Sequence, residues 1–187
     1  MKPVIAEFGQ ATKPYLERVT FVRGRIEEQP VDAIVTLLSQ SLRYKGSLNE
    51  AIQKAAGHAM DVFINENIHE PRLGDVYAAP GFDLPCKHVL YAVRPTWKDD
   101  FERQDRDLLI PCRKVMEEAR AMSLKTLAFP PLGSGHQGFA KPKAARLMMQ
   151  AIMDRMYPEI EEVRIVARTQ ETLDIFHDRF TAMVVKS

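Results

Sequence analysis

Cysteine is scarce in this chain: Cys86 and Cys112 are the two in 187 residues. Two thiols that far apart cannot form a metal knuckle, and they read as reduced residues suited to a reducing cytoplasm, with a disulfide as the alternative. No run of about 18 apolar residues occurs, so no membrane-spanning helix is expected. The opening residues, MKPVIAEFGQATKPYLERV, lack a long apolar core and a small-residue cleavage site, so a secretory signal is not expected and a cytoplasmic location is. An excess of one charge is also missing. Lys and Arg number 26 against 25 Asp and Glu, a net charge of +1. Nucleic acid needs a basic stripe or surplus and is therefore not an expected partner. No repeat, low-complexity tract or linker divides the sequence.

What is present is ordinary globular composition, 45% hydrophobic and 27% charged. The length corresponds to about one domain, and such a chain buries roughly 70% of its unfolded surface without staples. Short β-rich runs alternate with helical patterns. The runs are Val19 to Ile26, Val31 to Thr36, His88 to Val93, Leu124 to Phe129 (stopped by Pro130-Pro131) and Val163 to Ala167.

Between the runs lie expected helices. Ser47-Leu48-Asn49-Glu50 has the form of a capping box, with Leu48, Ile52, Ala55, Ala56 and Ala59 as one apolar face. Gln104 to Met122 is helical in pattern, with Pro111 expected to kink it or mark a late start. Lys141 to Met156 carries Pro142 in its first turn, where the missing N–H is harmless. Thr169 is placed to cap a last helix through Phe180. Strands alternating with helices imply an α/β fold with a largely parallel sheet.

Ligands of open α/β sheets bind beyond the carboxyl ends of the strands, so the loops there are the candidate sites. Pro130 to Phe139 reads PPLGSGHQGF, and its three glycines let a turn aim N–H groups at an anion. A helix start just beyond adds partial positive charge. A phosphate loop and a plain glycine-rich turn both fit this composition. It is no Walker loop, since no Gly-Lys-Ser/Thr ends it. Ser39 to Ser47 is a second candidate loop, with one glycine and the cations Arg43 and Lys45; a solvated polar loop is its alternative. His58, His69, His88, His136 and His177 have no metal spacing, and no metal or other cofactor is expected. Only His136 falls in a candidate loop. No Ser-His-Asp or Cys-His arrangement can be named from spacing.

These residues resemble a macrodomain. Gly24-Arg25-Ile26, Val31 to Val35 and Asn49 to Gly57 resemble the family's first half. Gly74-Asp75-Val76 and Leu84 to Val93 resemble its middle, and Ala128 to Phe139 its distal phosphate loop. The motifs keep family order and spacing from about residue 20 to 180. The resemblance implies a three-layer α/β/α sandwich with a mixed, mostly parallel central sheet, spanning 19–187 behind an N-terminal extension of residues 1–18. It also implies a cleft for ADP-ribose across the two loops. The ligand-binding residues carried over are Arg25, Ile26, Ser39, Tyr44, Lys45, Gly46 and Ser47, then Gly133, Ser134, Gly135, His136, Gln137, Gly138 and Phe139.

The departures from the family pattern are specific. Arg25 stands where the family's Gly-Asp-Ile motif has the Asp that accepts from the adenine amino group, and a guanidinium only donates. Arg25 either lines a base pocket with different selectivity or turns to solvent and pairs with an acid such as Glu27. The family's Asn-Ala-Ala-Asn run is Thr36-Leu37-Leu38-Ser39, so Ser39 replaces the Asn that holds the distal ribose and two leucines add bulk. The glycine-rich first loop is reduced to Tyr44-Lys45-Gly46-Ser47. Asn49 aligns with the Asp that is catalytic in some subfamilies, and an amide is no carboxylate base. Gln137 stands where an aromatic is usual. The expected function is therefore binding of ADP-ribose or a related nucleotide diphosphate without efficient hydrolysis, with an ADP-ribosylated protein as an alternative partner. Two further readings stay open. One is an ADP-ribosyl hydrolase helped by Asn49, Ser39 or His136. The other is a scaffold whose leucines fill the cleft and whose first 18 residues mediate dimerisation.

Overall fold

The computed structural model describes residues 14–42, 46–98, 101, 103–135 and 138–186. In chain order its elements are β1 (Val19–Arg23), β2 (Ala33–Ser39), α1 (Ser47–Ala56), α2 (His58–Asn67), β3 (Val76–Pro80), β4 (His88–Arg94), α3 (Arg106–Ala121), β5 (Thr126–Phe129), α4 (Lys141–Asp154), β6 (Glu162–Ala167) and α5 (Gln170–Lys186). The strands form one sheet in the order β1-β6-β5-β2-β4-β3. Every pairing is parallel except that of β3 with β4, which is antiparallel.

The middle strand explains the layers. All seven residues of β2 are buried. Alternation along the pleat sends Ala33, Val35 and Leu37 to one face and Ile34 and Leu38 to the other. A strand covered on both faces has no polar side, which is why it appears in the sequence as an unbroken apolar run. The first face packs on α3, α4 and α5 through residues such as Val115, Met148 and Phe176; the second packs on α1 and α2 through Ile52, Met60 and Ile64. The result is the expected three-layer α/β/α sandwich. All the parallel strands end at one edge, and the loops that leave them gather there.

Three local expectations are corrected, and one strand is added. Ser47 is the first residue of α1 and not its cap; Gly46 holds that position, with no side-chain capping bond, and its carbonyl accepts from the N–H of Glu50. The helix then stops at Ala56, because Gly57 at φ 87° turns the chain into a separate α2. That break resets the phase, so Ala59 is exposed while Met60 is buried. Helix α3 continues through Pro111. The proline lies in its second turn, where the missing donor removes one bond, to the carbonyl of Asp107, and the burial of Leu108, Cys112 and Val115 offsets it. Finally, β3 adds an edge strand that the sequence pattern did not reveal, its residues mostly half-buried and lacking a clean period.

Of the expected N-terminal extension, residues 14–18 pack on the body. Leu16 is buried, and Arg18 Nη1 donates to the carbonyls of Pro158 at 2.7 Å and Ile160 at 2.6 Å. Residues 1–13 lie outside the described residues.

Candidate functional site at the carboxyl ends of the strands

A cleft of about 410 Å³ opens where β1, β2, β4, β5 and β6 end. Its floor is Thr36 and Leu37 of β2. One wall is Pro130 to Gly135 with Gly138 and Lys141; the facing wall is Gly46 to Asn49 with Arg94 and Trp97. The far end is closed by Gly24, Ile26, Val166 and Arg168, with Thr169 and Thr172 at the start of α5.

The β5–α4 wall is built from backbone. The N–H of Gly138 is bound by the carbonyl of Gly135 at 2.8 Å, and that of Phe139 by the carbonyl of Gly133 at 2.6 Å. These bonds close the loop on itself. Among the described residues, the N–H groups of Gly133, Ser134 and Gly135 have no acceptor. Two of the glycines are required. Gly133 lies at φ 76°, and a Cβ there would stand 2.6 Å from Leu108 Cδ2. A Cβ on Gly138 would stand 2.2 Å from the carbonyl oxygen of Gly133. Gly135 is different: a Cβ there meets nothing within 4 Å, because it faces the open cleft. Three N–H groups without an acceptor, beside the first turn of α4, are donors of the kind that backbone nests offer to anions.

The opposite wall is built from side chains. The Asn49 amide is held at both ends: its oxygen accepts from the Thr36 hydroxyl, and its Nδ2 donates to the Leu37 carbonyl at 2.9 Å. It ties α1 to the end of β2. Arg94, the last residue of β4, lays its guanidinium 4.3 Å from the centre of the Trp97 ring, and its Nη1 donates to the carbonyl of Pro95 at 2.7 Å. Burial pushes the Arg94 pKa below the usual guanidinium value. Trp97 in turn meets Phe139 edge-on at 5.3 Å, so the two walls touch through a pair of rings.

The far end holds a buried acid behind its lining. Glu27 is only 9% exposed, and its Oε1 lies 3.7 Å from both Arg25 Nη1 and Arg168 Nη2. Its Oε2 has no hydrogen-bond partner. The Arg25 side chain is 61% exposed and does not line the cleft.

The sheet order, the cleft at the strand ends and the glycine loop coincide with a known pattern. A family model described as Macro domain matches residues 37–148. This chain belongs to the macro domain family. A macro domain-containing protein of Caldanaerobacter subterraneus subsp. tengcongensis is 30% identical over 164 residues, covering 86% of this chain and 94% of that protein. A Salmonella newport protein named O-acetyl-ADP-ribose deacetylase is 30% identical over 165 residues, covering 85% and 92%. Among solved structures, the Oceanobacillus iheyensis macrodomain with ADP superposes with a TM-score of 0.78 at 25% identity, covering 89% of this chain and 92% of that one.

Within this macro domain, the structure brings together Ile26, Gly46, Ser47 and Asn49 with Gly133, Ser134, Gly135 and Gly138 around one cleft. Three other residues expected at the site do not line it. Arg25 is largely exposed, with its Nη1 3.7 Å from Glu27 Oε1. The Ser39 hydroxyl is 2.7 Å from that of Ser41 and is buried at the end of β2. Phe139 lies under the loop, nine-tenths buried against Trp97, where apolar area is removed from water. Tyr44, Lys45, His136 and Gln137, like Arg43, lie outside the described residues.

The sequence reading missed Arg94, Trp97, Lys141, Arg168, Thr169 and Thr172 as cleft residues. The rule that ligands sit at strand ends pointed to the segments after β4 and β6 as well. Neither carries a glycine cluster, so neither stood out.

Proposed function

We propose that this macro domain binds ADP-ribose or a closely related nucleotide diphosphate, and does so without efficient hydrolysis. The observation that carries the binding reading is the set of three N–H groups on Gly133, Ser134 and Gly135, without a backbone acceptor among the described residues and on the cleft wall beside the start of α4. A diphosphate satisfies such donors without needing a bulky side chain there. The related macrodomain solved with ADP supports the ligand class. The weak-hydrolysis reading rests on the lining. Among the described residues it contains no Asp, Glu, His or Cys, and its one amide, Asn49, is occupied by Thr36 and Leu37. A general base needs an available acceptor of suitable basicity, and an amide offers none.

Titration calorimetry with ADP-ribose and ADP tests binding. Heat that saturates below millimolar ligand is expected, and none from either nucleotide overturns the reading. Incubation with O-acetyl-ADP-ribose and with mono-ADP-ribosylated protein tests the second half, with release no faster than in buffer as the expected result. A hydrolase remains the second reading, favoured by the relative named a deacetylase. The scaffold reading is weakened by the open cleft: Leu38 turns away into the layer under α1 and α2, and Leu37 alone reaches the floor.

A further inference from the structure

We infer that the edge of β3 is an interface between two copies of this chain, paired antiparallel about a two-fold axis near Ala78. The two edges of the sheet differ. At β1, Val19 and Phe21 are 3% and 2% exposed, and Phe21 is covered by His177 and Phe180 of α5. At β3, Val76, Tyr77 and Ala78 are only half-buried, and no described strand pairs with their outer side. The register of β3 with β4 fixes which backbone groups face outward. The Val93 N–H donates to the Asp75 carbonyl at 3.0 Å, and the Gly81 N–H to the Lys87 carbonyl at 2.9 Å. In an antiparallel pair such residues alternate with residues that turn away from the partner strand. Val76, Ala78 and Pro80 therefore aim their backbone groups away from β4. Pro80 has no N–H, which costs nothing at a position that owes none to β4. Unpaired donors and acceptors along a sheet edge are a template for a further strand.

The edge is complementary to itself. A two-fold contact uses one patch twice, so the two ends of the patch must suit each other. Centred on Ala78, the pairing lets Ala78 donate to the partner's Ala78 and Val76 donate to the carbonyl of the partner's Pro80. Arg72 lies before β3 and Asp83 after it, and both are exposed. Neither has an opposite charge within ion-pair distance among the described residues. Antiparallel pairing brings the start of one strand beside the end of the other, so each Arg72 approaches the partner's Asp83. Phe82 adds apolar surface at the same end. It is 40% exposed, with its ring 6.3 Å from that of Phe63 on α2. Its backbone, at φ 51°, is one that a bulky residue seldom adopts. A strained turn holding an aromatic ring out at a sheet edge has a purpose when a second chain covers the ring.

Sedimentation equilibrium on the full chain tests the inference. A short edge makes a weak contact, so the mean mass should rise from 21.3 kDa toward twice that between about 10 μM and 1 mM. Ala78→Pro removes the central outward N–H and should abolish the rise in that range. Arg72→Glu turns both charge pairs repulsive and should weaken association roughly tenfold. Adding Asp83→Arg to Arg72→Glu reverses both ends together and should restore it. A mass of 21.3 kDa throughout leaves the edge to some other strand and overturns the inference. So does a dimer that Ala78→Pro and Arg72→Glu leave unchanged, since its contact then lies elsewhere. A double charge variant no tighter than Arg72→Glu overturns the two-fold arrangement and the inference with it. Thermal unfolding checks the variants. Should Ala78→Pro not fold, the exposed charge variants carry the same test.

Discussion

The two walls of the cleft solve the same problem with different materials. The β5–α4 wall offers backbone N–H groups shaped by glycines and closed by its own hydrogen bonds. The β2–β4 wall offers side chains: Asn49 is held by Thr36 and Leu37 of β2, Arg94 by Pro95 and Trp97 just after it, and Trp97 meets Phe139 of the other wall. The backbone wall comes from one short segment, so its glycines stand together in the sequence. A side-chain wall exists only once distant segments meet, since Arg94 and Asn49 come together through the pairing of β4 with β2 and the return of α1. Trp97 joins them, stacking on Arg94 and receiving Phe139 at its edge.

The contrast can be broken at its strongest point first. Gly138→Ala forces a Cβ to within 2.2 Å of the Gly133 carbonyl oxygen, so the loop must rearrange. A loss of about 3 kcal/mol is expected, together with loss of nucleotide binding. Chemical denaturation measures it, and an unchanged midpoint would mean that the backbone wall is not the rigid one. On the other wall, Asn49→Ala leaves the Thr36 hydroxyl and the Leu37 carbonyl without a partner. About 1–2 kcal/mol should be lost. A stability equal to the parent would show that the clamp between α1 and β2 is idle.

Gly135→Val sharpens the comparison by separating binding from folding. Its new side chain meets open space, so the unfolding midpoint should hardly move. It enters the volume a diphosphate would occupy, so ADP-ribose affinity should fall tenfold or more, about 1.4 kcal/mol. Equal affinity would mean the loop does not touch ligand. The smallest effect is expected at Arg25→Ala. That side chain is largely exposed, and Glu27 keeps Arg168 as a neighbour. Less than about 0.5 kcal/mol in stability and less than twofold in ADP-ribose affinity are expected. A larger change in affinity would bring Arg25 back to the recognition surface.

Much of the fold was legible because burial leaves a period. Val31 to Thr36, His88 to Val93 and Val163 to Ala167 appear as apolar runs, since their strands are covered on both faces. Pro142 in the first turn of α4 and the Thr169 cap of α5 were equally readable, because each acts within a few residues; the Thr172 N–H does reach Thr169 Oγ1, at 3.3 Å. Strand β3 was not, since an edge strand paired on one side and only partly covered shows no clean pattern. The glycine loop was found from composition, but the separate roles of its glycines were not. That Gly133 and Gly138 are sterically required while Gly135 is open depends on Leu108 of α3 and on how the loop closes upon itself.

Local sequence therefore determined the order of elements, the alternation that places helices on both faces of the sheet, and a glycine-rich loop at a strand end. These follow from forces that act over a turn or a pleat, such as backbone sterics, capping and periodic burial. Tertiary packing decided which side chains face the cleft. Arg25, in a conspicuous motif, is largely exposed beside Glu27, whereas Arg94, at an inconspicuous strand end, lies over Trp97 and lines the cavity. The immediate partner of each is close in sequence, but which of the two borders the cleft depends on where β1 ends beside β6 and β4 ends beside β2, and the sheet register sets that.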